Sequence, residues 1–314
     1  NLMVLNVLRD QLRDVSAILL GCAVPVLVFG RAIFAIALCI GFLCLLFSRL
    51  RQVSVKHLMC QMTQPIGIMI AVTIILWSMS ALGSSFPVRS LEAVLRTGVF
   101  VAVAVMIYAA IYRDANFRDL FSRAFILAAI IGMAFAVIAM IALPELYWVA
   151  KLKGWQSTSL ETELKGVSSL SVIVIPALWV ATRGLSATWG VAAIFAVACT
   201  LFLVWETYNR AALAGFIGIF LVGACFWSAR QQSWHRLLAA WGAFLLLMAF
   251  AMHWLWRTRE HLNNSVPAGD WFYPVWLIDF QRQVIWGEAF KIAENSFWFG
   301  IGANTINFAP GAQK

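Results

Sequence analysis

The stretch FSRAFILAAIIGMAFAVIAMIAL, residues 121–143, carries one charge, Arg123, close to its start and none after it. A helix needs about 20 mainly apolar residues to cross the hydrocarbon core of a bilayer, and this stretch is long enough. Working outward from it in both directions, the same pattern recurs in about nine blocks: residues 15–29, 32–47, 66–82, 93–112, 121–143, 167–182, 187–205, 211–227 and 237–256. Only Gly30-Arg31 separates the first two, which predicts a tight helical hairpin. Composition agrees: 62% of the 314 residues are hydrophobic and 12% charged, about half the charged share of a soluble domain. The fold class this predicts is all-α, a polytopic transmembrane helical bundle. Residues 1–256 form the bundle, and residues 257–314 form an external segment expected to continue past Lys314. The first block reads as a span rather than a cleaved signal, because a second span follows at once.

Sidedness follows from the basic residues of the short connections. Arg9 and Arg13 precede the first block, and Arg49, Arg51 and Lys56 follow the second. Arg113, Arg118 and Arg123 follow the fourth, Arg183 the sixth, and Arg230 and Arg236 the eighth. If the spans alternate, all of these lie on one side, which is therefore cytoplasmic, along with the N-terminus. Glu92, Glu145, Glu163, Glu206, Asp279 and Glu288 fall on the other. The net charge of +9 is thus mostly a topology signal. No basic stripe or aromatic platform sits in a soluble domain, which speaks against nucleic acid as a partner. The cysteines form no CxxC pair or zinc-like cluster and read as small apolar fillers.

Two outer segments, residues 144–166 and 257–314, exceed the length of simple connectors, and long loops tend to carry function. The second is rich in Trp, Phe and Tyr, which suit the membrane–water boundary. Within it, residues 279–294 read as an amphipathic helix: Phe280, Val284, Ile285, Ala289 and Ile292 supply the apolar side, and Arg282, Gln283, Glu288 and Lys291 the polar side. Two outer arginines stand out, Arg210 at the threshold of the eighth block and Arg282 on this helix, followed one turn on by Trp286. A guanidinium keeps its charge and offers a fork of donors that matches phosphate oxygens. The plainer alternative is a snorkelling anchor for Arg210 and a solvated helix residue for Arg282. Arg89 and Arg96, around the start of the fourth block, are candidates to line a path for an anionic lipid, and Lys165 to meet acceptor phosphates. Glu206 is spaced to pair with Arg210 across one helical turn.

Asn209-Arg210-Ala211-Ala212-Leu213-Ala214-Gly215 resembles the Ser-Arg-Gly/Ala-Ala segment of the O-antigen ligase family of bacterial membrane glycosyltransferases. Arg282-Gln283-Val284-Ile285-Trp286 followed by Gly300-Ile301-Gly302-Ala303-Asn304 is similar to that family's Arg-x-x-x-Trp helix and Gly-x-Gly loop. Gly166-Val167-Ser168-Ser169-Leu170 leading to Pro176 resembles the small polar start of one of its spans. The likeness covers roughly residues 160–308; the first half matches as a hydropathy profile. It implies a GT-C-like bundle in the bacterial inner membrane. The implied reaction moves a glycan from undecaprenyl diphosphate to an acceptor at the periplasmic face, most simply O-antigen ligation onto lipid A-core. Polymerisation of O-antigen or exopolysaccharide onto a growing glycan, or protein O-oligosaccharyl transfer, is the alternative within the family. It also implies that Arg210 and Arg282 bind the diphosphate and stabilise it as it leaves, with Trp286 of the second motif as a further substrate contact; Arg89, Arg96 and Lys165 remain substrate-binding candidates on charge and sidedness alone. No cofactor and no metal is implied, and the sequence has no Asp-x-Asp pair.

The family carries an outer-face His downstream of the Gly-x-Gly loop as the presumed base. His57, His235, His253 and His261 all precede Arg282 or lie on the wrong side, so that base is expected beyond Lys314, with further spans after it. A lipid or polysaccharide transporter or flippase is the competing class. It predicts ionisable groups near mid-span, broken helices and two similar halves. A purely structural membrane subunit predicts no convergent outer arginines.

Overall fold

The computed structural model describes residues 2–48, 50–84, 86–150 and 160–209, together with Ala212, Gly215 and Leu246. Among these residues every regular element is helical. In chain order they are α1 (Leu2–Ala23), a 3-10 turn (Pro25–Phe29), α2 (Arg31–Phe47), α3 (Arg51–Met62), α4 (Pro65–Leu82) and α5 (Pro87–Arg113). There follow α6 (Ala115–Ile141), α7 (Pro144–Ala150), α8 (Leu160–Ser169), α9 (Ser171–Ala181) and α10 (Ala187–Glu206). Among the described residues, four helices are long and apolar enough to cross a membrane: Pro87–Arg113, Ala115–Ile141, Glu163–Ala181 (α8 continuing into α9) and Ala187–Glu206. Shorter apolar helices occupy Arg31–Phe47 and Gly67–Leu82. Apart from Ala212, Gly215 and Leu246, the expected spans at residues 211–227 and 237–256 lie outside the described residues, as does the expected amphipathic helix at 279–294.

The described residues divide between two compact units, one drawn from Asn1–Cys60 and Val103–Phe226, the other from Gln61–Ala102 and Trp227–Lys314. The first is built around α6. Its buried face is a run of small residues, Ala124, Ala128, Ala129, Gly132, Ala136 and Ala139, broken by Phe125, Ile126 and Met133. In lipid, apolar side chains gain little by leaving one apolar medium for another, so helices associate through close packing and small residues let backbones approach. The α1–α6 contact shows this: a Cβ on Gly21 would come within 2.5 Å of the Phe121 carbonyl oxygen. Across α1 and α2, a Cβ on Gly41 would sit 2.9 Å from Leu20 Cγ, and Ser16 Oγ donates to the Gly41 carbonyl at 2.8 Å. The exposed side of α2 is a stripe of Ile33, Ile36, Ile40, Leu43 and Phe47, a surface suited to acyl chains rather than water.

The hairpin expected at Gly30-Arg31 is present. The 3-10 turn closes with Gly30 NH donating to the Leu27 carbonyl, and Gly30 holds φ 135°, a conformation that side chains with a Cβ avoid. α1 then runs beside α6 in the same direction. Arg13 meets Asp114, which caps α6 by accepting from Phe117 NH at 2.9 Å, and Phe29 meets Phe135 with ring centroids 5.0 Å apart. Arg13 is buried, 8% exposed, with Nη2 2.7 Å from Asp14 Oδ1 and Nη1 3.7 Å from Asp114 Oδ2 and 3.8 Å from Asp10 Oδ1. Sequence reading gave Arg13 only a charge to be counted; here it also ties α1 to the start of α6.

Helices extend past the apolar blocks that predict them. α1 begins at Leu2, α5 at Pro87 and α6 at Ala115, because helical hydrogen bonding continues into water where the hydropathy signal stops. The polar connection at residues 51–62 is itself helical. The outer segment expected at 144–166 contains α7, whose Tyr147 and Trp148 are buried against the core around Phe135, Leu164 and Val167.

Candidate functional site

In the first unit, two of the segments singled out by the sequence meet: the Gly166–Leu170 region and the residues leading into Arg210. α10 ends at Glu206 in a turn where Tyr208 NH donates to the Trp205 carbonyl at 3.1 Å and Asn209 NH to the Val204 carbonyl at 3.3 Å. This double bond pattern requires a left-handed residue after the cap. Tyr208 supplies it with φ 47° although it is not glycine, at a cost of about 1 kcal/mol. The helical spacing expected for Glu206 and Arg210 is therefore interrupted, since α10 stops between them.

Beyond the turn, Asn209 joins two parts of the chain. Its Oδ1 accepts from Ala212 NH at 3.1 Å, the pattern of an N-cap three residues before its donor. Its Nδ2 donates toward the Lys165 carbonyl at 2.9 Å, Ser168 Oγ at 2.8 Å and Ser169 Oγ at 2.9 Å. Both serine hydroxyls donate in turn to the Lys165 carbonyl, at 2.9 and 3.0 Å. Thr207 Oγ1 lies 2.9 Å from Ser168 Oγ and 2.6 Å from the Leu203 carbonyl. Ser168 and Thr207 are wholly buried and Asn209 is 5% exposed, whereas Lys165, Gly166, Ser169 and Tyr208 are exposed around them. One turn deeper, Gly215 lies against α9: a Cβ there would come within 2.7 Å of Val172 Cγ2. One helical turn past Ser168, the buried Ser171 hydroxyl has no hydrogen-bond partner among the described residues.

Lys165 thus contributes its carbonyl to the junction and leaves its side chain exposed. Arg210, Arg282 and Trp286 lie outside the described residues. Arg89 and Arg96 belong to the second unit. There α5 begins earlier than its apolar block and presents both, with Glu92, along an open cavity of about 760 Å³ lined also by Phe86, Pro87, Val88 and Ala93. Arg96 forms an ion pair with Glu92 one turn before it. Among the described residues no group of three His, Cys, Asp or Glu side chains is placed to hold a metal ion.

Sequence reading gave Thr207 no role and used Asn209, Ser168 and Ser169 only as parts of motifs. A local signal did exist for Asn209, a strong capping residue between an apolar run and Arg210-Ala211-Ala212. Its bond to a carbonyl 44 positions earlier has no local signature. Comparison of the chain with protein-family models, curated proteins and solved structures finds no match.

Proposed function

We propose that this chain is a membrane glycosyltransferase that moves a glycan from undecaprenyl diphosphate to an acceptor at the periplasmic face of the bacterial inner membrane, with O-antigen ligation onto lipid A-core as the leading reaction. The observation that supports this reading is the junction at Asn209, where the Gly166–Leu170 region and the segment entering Arg210 are bonded together. The motifs that carry the resemblance are far apart in sequence, and two of them share one place. In this reading Arg210 and Arg282 grip the diphosphate. As the glycosidic bond to phosphate breaks, negative charge grows on the leaving oxygens, and fixed cations in a poorly hydrated site favour that state over the ground state. Arg89 and Arg96 guide the anionic lipid, Trp286 meets the donor, and Lys165 attracts acceptor phosphates. Polymerisation onto a growing glycan requires the same diphosphate grip.

The test is substitution in cells that depend on this protein for glycan attachment. Arg210→Ala and Arg282→Ala should each reduce transfer by about 10²-fold or more, read as lost lipopolysaccharide or polymer banding, with the protein still at normal level in the membrane. Unchanged banding in both variants would sink the assignment. A second reading, a lipid or polysaccharide transporter, draws on two helix interruptions, the 3-10 turn after α1 and the junction between α8 and α9 near the interior Pro176. It predicts that glycan already attached is unaffected by these arginines while lipid-linked glycan accumulates at the cytoplasmic face.

A further inference from the structure

We infer that the end of the first unit where α6 and α10 begin and α9 ends is a docking surface for anionic phospholipid, with Arg123 and Arg183 taking the headgroup phosphates. The inference stands apart from the glycan-transfer reading and holds whichever side of the membrane this end faces. Both guanidiniums stand over tryptophan rings, Arg123 over Trp189 at 5.9 Å and Arg183 over Trp179 at 4.5 Å. Among the described residues neither meets a carboxylate, whereas Arg13, Arg96 and Arg118 each do. The nearby carboxylates are already engaged: Asp14 and Asp114 face Arg13, and Asp119 faces Arg118. A ring beneath a guanidinium attracts the cation but brings no countercharge. It also covers only one face of the plane, so the N–H donors at the rim stay free for the oxygens of a phosphate.

Depth and surroundings decide what carries that phosphate. From Ala124 to Ile141, α6 has no charge; this is a length of about 27 Å against a hydrocarbon thickness of about 30 Å. From Ala187 to Trp205, α10 has none either. Arg123 and Arg183 therefore stand at the edge of the apolar layer, the headgroup level at which tryptophan rings collect. Beneath them the surface is apolar and open. Leu127 and Ile131 follow Arg123 on the same face of α6, and both are exposed. On α9, Trp179, Val180 and Ile173 are exposed below Arg183. A cation above an exposed apolar wall matches a molecule with a charged head and acyl chains. A free phosphate would use only the upper half of it.

The test is thermal unfolding of the full-length protein in neutral detergent, titrated with phosphatidylglycerol, with phosphatidylcholine and with inorganic phosphate. Phosphatidylglycerol should raise the melting temperature of the wild type, and the other two should not match it. An arginine near an anionic membrane surface strengthens binding about fivefold. Arg123→Gln and Arg183→Gln should each move the phosphatidylglycerol midpoint about fivefold higher, and the double variant about 25-fold. Arg118→Gln removes the same charge from an arginine already facing Asp119, and should shift the midpoint less than either. No response to phosphatidylglycerol, or an equal response to phosphatidylcholine, reduces the two arginines to water-facing anchors and overturns the inference. Equal stabilisation by inorganic phosphate overturns it in favour of a free anion. A shift in Arg118→Gln as large as in the other two overturns it in favour of general charge. If the Gln variants fail to fold, Arg123→Lys and Arg183→Lys decide. Lysine keeps the charge but loses the planar fork, so the midpoint should still rise, and an unshifted midpoint in both overturns the inference.

Discussion

Single polar groups inside this apolar protein have opposite energetic consequences depending on their partners. Asp114 caps α6 and faces the buried Arg13. Asp114→Ala removes the cap and leaves Arg13 with Asp10 and Asp14 alone, and it should destabilise the protein by about 1–2 kcal/mol, read as a lower melting temperature in detergent. Ser171 is the contrary case. Its hydroxyl is wholly buried with no partner among the described residues, and an unmade hydrogen bond of this kind costs about 1–3 kcal/mol. Ser171→Ala should therefore melt higher; a lower melting point would mean that a water or another polar group uses the site. Legibility differs in the same way at this scale. Arg210 and Arg282 were readable as candidates because charge is scarce in this sequence. Asn209 was not, because its meaning comes from Lys165, Ser168 and Ser169, which no local pattern places beside it.

Between helices, contact distance decides what a residue can be. Gly21→Ala would drive a methyl group against the Phe121 backbone oxygen, and backbone cannot rotate away as a side chain can. The α1–α6 contact must then open, losing van der Waals packing that apolar transfer cannot replace in lipid. Gly190 on α10 is the control, since a Cβ there meets nothing within 4 Å. Gly190→Ala should gain about 0.5–1 kcal/mol from helix propensity, whereas Gly21→Ala should melt lower; equal melting points for the two would refute close packing at Gly21. Of the seven apolar blocks up to residue 206, five fall mainly on one helix each, while 15–29 runs from α1 into the 3-10 turn and 167–182 from α8 into α9; a bilayer imposes a length of apolar sequence that is visible without any partner. What hydropathy did not show were the parts of helices outside that layer: the first turns of α1, the start of α5 carrying Arg89 and Arg96, and all of α3. Those segments are helical by hydrogen bonding and are too polar to be marked by a lipid-length signal.

For the first unit, the ends of the helices carry the question of sidedness. The Arg123 guanidinium stands over the Trp189 ring at 5.9 Å, so α6 and α10 begin at the same end. Arg13 joins them there through Asp114, and the corner with Arg113 and Arg118 leads into α6. The Asn209 junction, with Thr207 against Ser168, lies at the other end of α10. Between these two ends runs Glu163–Ala181, of 19 residues. At 1.5 Å per residue it spans about 28 Å, close to the hydrocarbon thickness of about 30 Å. If the cluster of arginines faces the cytoplasm, as loop charge predicts, then Lys165 and Glu145 face the periplasm and Arg183 does not. Labelling with an impermeant maleimide tests this in a variant with the six native cysteines replaced. Lys165→Cys and Glu145→Cys should react in intact spheroplasts, and Arg118→Cys and Arg183→Cys only in inverted vesicles. Reaction of Lys165→Cys and Arg183→Cys from the same side would mean that α8–α9 does not cross. A full reversal of all four would put the Asn209 junction in the cytoplasm, where a periplasmic glycan acceptor is out of reach, and the proposed reaction would fall with it.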